Sequence, residues 1–400
     1  MSIPINSKVQ LKPRLKFIDM ARSLAILLMI EGHFTGAALS SSYRNYQYPI
    51  FKVWHLIHGL TSPLFFTITG VIFTYLLTAD KDVTFSKNPR VKKGIKRIFQ
   101  LLFWGYFIQL SLWGIVKSIY FGTEFHLNWF YAFHVLQSIA FGISMLILIY
   151  GLHKWINWGK PQWYYLVAGI LMFTAYSFMK NHINIDKKLI EDGFRVLPAY
   201  WPTGAPSFIQ NMFYGQYSDF SFVRVSGYTI LGGMIGCLIR AYQHRVKELW
   251  FGTSFITAGL FISLFIRDIL FQIDNFTERM GWTENGIIEL TSTSLSRLGQ
   301  VISLLGALIL IDKFFNVRAK LFLKIGQNTF PIYVVHVIIL YGGIFGFGLK
   351  PLVFDRDLSP YLAVAISTTA IIFFVIMIKY IEPLEDFYTK ILRFLHLKSR

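Results

Sequence analysis

Long apolar runs alternate with short basic segments along almost the whole chain. A helix needs about 20 apolar residues to cross the hydrocarbon core of a bilayer, and runs of that length recur too often for a soluble core. The pattern predicts ten spans, near residues 18–39, 54–78, 98–120, 129–150, 161–179, 223–243, 249–271, 292–312, 326–347 and 358–380. The expected fold class is therefore all-α, a polytopic integral membrane protein of about ten transmembrane helices. Charge tests that count. With the N-terminus inside, the inner segments 1–19, 79–97, 151–160, 240–248, 312–325 and 379–400 hold 25 Lys and Arg. The longer outer segments hold about 10, the bias expected of cytoplasmic loops, and it puts both termini in the cytoplasm.

Composition agrees. The 400 residues are 54% hydrophobic and 15% charged, with a mean hydropathy of +0.49. The net charge of +18 would suit nucleic acid, but the cations lie in loops between apolar spans, where membrane lipids are the natural partner. No cleavable signal is expected, because the first 19 residues are polar and basic and no small-residue cleavage site follows the first span. The lone Cys237 lies in an apolar segment and reads as an inert thiol. Residues 1–400 read as one domain, with a bacterial cytoplasmic (inner) membrane as the expected location. The outer segment 180–222 contains the aromatic stretches Pro198–Phe208 and Met212–Phe220. It is expected to be an ordered extracytoplasmic lid, since disordered segments are poor in aromatics.

The first span carries the most informative polar residues: Asp19, Arg22, Glu31 and His33. Ionisable groups inside a membrane are functional candidates by default. Arg22 and His33 are eleven residues apart, about three turns plus 20°, so they share one helix face about 16 Å apart along the axis. Further polar residues follow: His55 and His58 at the outer start of span 2, His134 about one turn into span 4, Arg297 in span 8, and Asn328, Tyr333 and His336 in span 9. Imidazole suits a general base near neutral pH. His33 and His58 are the two candidates. His55 and His58 have ligand-like spacing, but no Cys cluster or HExxH accompanies them, so no metal is expected. The basic stretch Lys87–Arg97, with Lys93 and Arg97, suits phosphate groups or anionic lipid. Gly232, Gly233 and Gly236 permit close helix contact, as does Gly70. Pro331 is expected to kink span 9.

These motifs, taken in order, resemble the acyltransferase 3 family. Asp19-x-x-Arg22 followed by His33 is similar to its first-helix signature, with Ser23 in place of the usual Gly. Phe65-Phe-Thr-Ile-Thr-Gly70 resembles its Phe-Phe-x-x-Ser-Gly, Lys93–Phe99 its basic start to the third helix, and Ile325–His336 its late Gly-x-x-(Ser/Thr)-x-x-x-Tyr-x-x-His. His134-Val-Leu-Gln137, the Gly-rich span 6 and Asn328-Thr329 look closer to the heparan-alpha-glucosaminide N-acetyltransferase type of the wider superfamily. That branch places its catalytic histidine where this chain has His55 and His58. The acyltransferase 3 branch places it at His33, so both bases stay open.

The resemblance implies transfer of an acyl group, most often acetyl, from cytoplasmic acyl-CoA to a carbohydrate hydroxyl or amine across the membrane. Asp19, Arg22, Lys93 and Arg97 would hold the donor acetyl-CoA. His33 or His58, with Glu31 nearby, would supply the base. Asn328, Tyr333, His336, Arg297 and His134 would serve the acceptor or the oxyanion. A homodimer is compatible with this reading. The rival is a proton-coupled transporter or a flippase of a sugar-like substrate, since embedded His, Glu and Arg also mark such pathways. Against it, no matched pair of Gly/Pro-interrupted spans is visible.

Overall fold

A computed structural model describes residues 15–383, apart from 80–82, 124–129, 184–188, 192–193, 197–201, 203, 214–220, 283–285, 287, 316 and 355. The helices are α1 (Lys16–Ala38), α2 (Pro49–His58), α3 (Thr61–Leu77), α4 (Pro89–Phe107), α5 (Leu112–Phe121), α6 (Val135–Ile156), α7 (Pro161–Ile183), α8 (Ser207–Phe213), α9 (Phe222–Ala241), α10 (Leu249–Arg279), α11 (Ser292–Phe315), α12 (Lys320–Gln327), α13 (Thr329–Tyr341) and α14 (Pro360–Lys379). One short antiparallel ladder, β1 (Leu189–Glu191) with β2 (Phe194–Val196), pairs Leu189 with Val196.

Among the described residues, six helical stretches are long and apolar enough to cross a membrane, or up to eight if the bent pairs α4/α5 and α12/α13 each count as one. The ten-span reading exceeds that number through α1 and α7, helices of 23 residues each. In α1 the reason is chemical: Lys16, Asp19, Arg22 and Glu31 interrupt its apolar surface. The bends have local causes. Between α4 and α5 the axis turns by 41°, and α5 restarts at Ser111, whose Oγ accepts from the Gly114 amide at 3.1 Å. Between α12 and α13 it turns by 73°. Pro331 stands in the first turn of α13, where its missing N–H is harmless, but its ring would clash with a continued helix before it. The break therefore falls at Asn328 rather than at the proline itself.

Burial orders the helices. In α9, 83% of the apolar window is buried, against 17% in α10, so α9 runs through the interior while α10 presents its surface outward, as a lipid-facing helix does. The glycines predicted for close contact carry this out: side chains at Gly70 or Gly232 would strike the backbone carbonyls of Thr229 and Thr67, respectively. Helix α1 packs against α3, α11, α12, α13 and α14. Its last turn is laced to the segment before α14, through Arg356 N–H to Ala37 O at 3.3 Å, Leu358 N–H to Ala38 O at 3.0 Å and Ser40 N–H to Leu358 O at 2.9 Å.

Candidate active site

Two cavities open at opposite ends of α1. The first, at the Lys16 end, encloses about 270 Å³ and is lined by Arg22, Arg90, Lys93 and Arg97, with apolar side chains such as Phe65 and Ile139 on its walls. Lys93 and Arg97 project from α4, whose 3.6-residue period puts them on one side of the helix. The Arg97 guanidinium lies 4.6 Å from the centre of the Phe330 ring and donates to Gln100 Oε1 at 2.9 Å. Arg22 donates to Thr329 Oγ1 at 3.2 Å, which ties α1 to the start of α13.

Below it, α12 is seated on α1. Ser23, fully buried, donates to the Phe322 carbonyl at 2.5 Å and also lies 2.9 Å from the Asp19 carbonyl of its own helix. Gly326 lets the chain pass so close to Asp19 and Ser23 that a side chain there would strike both. Gln327 Nε2 reaches Asp19 Oδ2 at 3.5 Å. The serine that departs from the resembled motif is thus a bolt between helices.

The second cavity, at the Ala38 end, encloses about 540 Å³. His33, His55 and His58 line it, beside the aromatic rings of Tyr46, Phe51 and Trp54. His33 Nδ1 lies 3.2 Å from Nε2 of His336, a contact 303 residues apart in sequence. His336 is fully buried. Its ring centre is 5.0 Å from that of Tyr333, which lines the first cavity. Tyr333, His336 and His33 therefore stand in series between the two cavities. Tyr341 packs edge-on against His33 with centroids 5.9 Å apart.

Glu31 does not face His33. Its Oε1 accepts from Trp54 Nε1 and from Thr35 Oγ1, both at 2.9 Å. Trp54 in turn stacks flat on His58, with centroids 5.1 Å apart and planes 4° apart. The His58 ring presses on Gly32, where a side chain would collide with it. Glu31 thus fixes the indole that fixes His58. His55 contacts the Tyr46 hydroxyl at 3.3 Å.

Other candidates lie elsewhere. Asn328 donates to the Lys324 carbonyl at 2.8 Å, capping α12 away from both imidazoles. Arg297 donates to the Leu56 carbonyl and Gln300 Oε1, each at 3.1 Å, and braces the end of α2. His134 is the residue preceding α6, because that helix begins at Val135, later than the apolar run suggests; it lines neither cavity. Of the 180–222 segment, the stretches 184–188, 192–193, 197–201, 203 and 214–220 lie outside the described residues. Its described aromatics Phe208 and Phe213 pack on Tyr131 and Phe222, and none of its described residues lines the cavity of His33. Among the described residues, no group of three His, Cys, Asp or Glu is arranged to hold a metal ion.

Sequence reasoning missed Thr329, Tyr341, Arg44 and Arg356 as parts of the site. Arg44 follows α1 and is held against its end, donating from Nη2 to Gly36 O at 2.5 Å and Leu39 O at 2.9 Å, and from Nε to Leu39 O at 3.1 Å. Burial, together with the charge of Arg356, lowers the Arg44 pKa from its ordinary value. A signal was available: Arg44 and Arg356 fall in segments that the charge asymmetry predicts to be extracytoplasmic, where Lys and Arg are disfavoured.

No curated protein matches the chain. The model of the acyltransferase domain that defines the acyltransferase 3 family matches residues 15–381, nearly the whole molecule and every element of the site, and the chain belongs to that family.

Proposed function

We propose that the protein is an integral membrane acyltransferase that moves an acyl group, acetyl in the simplest case, from acyl-CoA to a carbohydrate hydroxyl or amine. In this reading α1 and α7 also cross the bilayer, giving ten spans, with both termini in the cytoplasm of a bacterial cell and the Ala38 end outside. The Lys/Arg asymmetry of the loops supports that orientation. The observation that carries the reading is the series Tyr333–His336–His33 between a basic cavity and an imidazole-lined one.

The donor is anionic and cytoplasmic, and Arg90, Lys93 and Arg97 would hold its phosphates at the mouth of the first cavity. Its pantetheine arm has the contour of about four extended residues, roughly 14 Å. That length is close to the separation of about 16 Å between Arg22 and His33 along α1. The thioester would thus reach the imidazoles while the nucleotide stays outside the membrane.

His33, His55 and His58 line the acceptor cavity and His336 does not; of the three, His33 is the one that touches His336 and so faces the donor slot, which makes it the base in this reading. The contact of His33 Nδ1 with His336 Nε2 would orient the His33 ring, and with Nδ1 engaged there the proton-accepting nitrogen would be Nε2. It takes the proton of the acceptor as the acceptor oxygen or nitrogen bonds to the thioester carbon. Collapse of the tetrahedral species expels the CoA thiolate, which takes that proton back. Beyond the His33–His336 pair, Tyr333 is the next oxyanion candidate, its ring 5.0 Å from that of His336, and exclusion of water would suppress thioester hydrolysis.

Thermal unfolding of the purified protein tests the donor. Acetyl-CoA and CoA should each raise the unfolding temperature, by about 2.7 kcal/mol of stability at a hundred times the dissociation constant. ATP should do so more weakly, and the acetyl-CoA effect should shrink in Arg22→Ala. No shift with any of the three at millimolar concentration would refute a CoA donor and favour a carrier.

A further inference from the structure

The cavity at the Ala38 end carries a charge pattern that the acyl-transfer reading does not use. Arg44, Lys350 and Arg356 line it, and among the described residues no carboxylate does. Glu31, at the same end of α1, has its Oε1 turned to Trp54 and Thr35, and Asp357, which follows Arg356 in the chain, does not line the cavity. In the proposed topology these cations also stand on the side of the membrane where loop cations are scarce.

Two of them are built into place. Arg44 makes three bonds to carbonyls at the end of α1, which fixes the guanidinium and leaves Nη1 as the remaining donor. Arg356 has φ of 59°, in the left-handed region that residues with a Cβ seldom occupy. The only other described non-glycine residue there is Asn157, at an ordinary helix C-cap. The hydrogen bonds from Arg356 N–H to Ala37 and from Leu358 N–H to Ala38 hold this conformation against α1. An arginine kept in a disfavoured backbone conformation, exposed, beside a second arginine, points to a ligand that repays the arrangement.

Resting on the acceptor reading of this cavity, we propose that the acceptor is an anionic saccharide, one that carries a phosphate or a carboxylate near its acylated hydroxyl or amine. Guanidinium groups bind phosphate and carboxylate oxygens through paired N–H donors. Tyr46, Phe51 and Trp54 on the same walls offer flat apolar faces to a sugar ring. His33 and His58 share the cavity, so an anion held by Arg44 and Arg356 would set the sugar against the base. Lipid headgroup phosphate offers the same anion, but a headgroup site would have no need of imidazoles.

The test uses the full chain in nanodiscs of zwitterionic lipid. Thermal midpoints are followed against N-acetylglucosamine 1-phosphate, glucuronate and neutral N-acetylglucosamine, with acetyl-CoA titrated separately. At least one anionic sugar should bind about tenfold more tightly than the neutral one, the effect of a single charge-assisted contact. Arg356→Gly tolerates the positive φ and removes the charge; it should abolish that preference and leave the acetyl-CoA shift intact. Arg356→Lys should retain part of it, and inorganic phosphate should compete with the anionic sugar on the unaltered protein, which keeps the proposal testable if a variant misfolds. Equal binding of all three sugars, or a preference unchanged in Arg356→Gly, overturns the inference. So does a preference for anionic over zwitterionic nanodiscs that accounts for the whole Arg356 effect. Loss of the acetyl-CoA shift with sugar discrimination intact would instead overturn the donor reading and leave this inference standing.

Discussion

The two cavities at the ends of α1 are separated by a series of three rings and share no described lining residue. The one near Lys16 is a slot of about 270 Å³ with cations at its mouth and apolar walls. The one near Ala38 is twice as large, about 540 Å³, and is lined by imidazoles, aromatic rings and arginines. A narrow apolar slot suits one extended arm; a wide aromatic cavity suits a ring. The difference teaches that two substrates need not share a surface. They need only meet at the point where Tyr333, His336 and His33 come into contact.

That division is broken most sharply at His33. Loss of a general base lowers a rate by about 10²–10⁴-fold. His33→Ala is expected to reduce acetyl transfer by that much with the acetyl-CoA-induced rise in unfolding temperature unchanged. His58→Ala, whose ring is clamped by Trp54, should lower transfer less than about tenfold under the same assay, well short of a general-base effect. A reversed ranking would move the base to α2.

The slot is tested next. Removing a charge-assisted contact weakens binding by about 10–100-fold. Arg22→Ala and Arg97→Ala should each weaken the donor by such a factor and leave the acceptor KM as it was. Steady-state kinetics with both substrates varied reads this directly. An equal change in both constants would mean that the ends are not separate.

Packing around the imidazoles gives a smaller effect. Gly32→Ala forces a methyl into the His58 ring, and overpacking of this kind destabilises by about 1–3 kcal/mol. Chemical unfolding should report that loss, and His58→Ala in the same chain should recover most of it, a coupling that a double-mutant cycle resolves.

Much of this was legible along the chain, and the limits have physical causes. Bilayer thickness imposes run lengths, so most helices stand where apolar runs predict them. The 11-residue spacing of Arg22 and His33 places them on one side of α1 because helix geometry is fixed. Local chemistry moved the ends of other elements. The amphipathic α12 reads as loop because eight residues are too few for a span, and α6 starts late because its apolar run begins before the helix does. The contact of His33 with His336 was beyond reach, since no periodicity within either helix says which faces meet 303 residues apart. Both histidines were visible as candidates; their pairing was not. Arg356 shows the opposite case: its type and loop position were on view, but its positive φ is a property of the fold alone.

Ser23 offers the finest test of how separate the ends are. It stands where the resembled motif has Gly, and its hydroxyl joins α1 to the Phe322 carbonyl of α12. Ser23→Ala loses a buried hydrogen bond, about 1 kcal/mol. Ser23→Gly loses the same bond and adds the entropy of glycine within a helix, about 0.5–1 kcal/mol more. Both should therefore unfold at lower denaturant concentration, in that order. The functional consequence is local, because α12 leads directly into Thr329, the partner of Arg22. A looser α12 lets Arg22 wander and weakens the donor by a factor of about two to five, less than one charge-assisted contact. In the proposed reading the acceptor KM depends on residues at the other end of α1, about 16 Å away along the axis, and should not move. If it moves as far as the donor constant, α1 transmits strain between the cavities as a rigid rod, and the two substrate sites are coupled rather than merely adjacent.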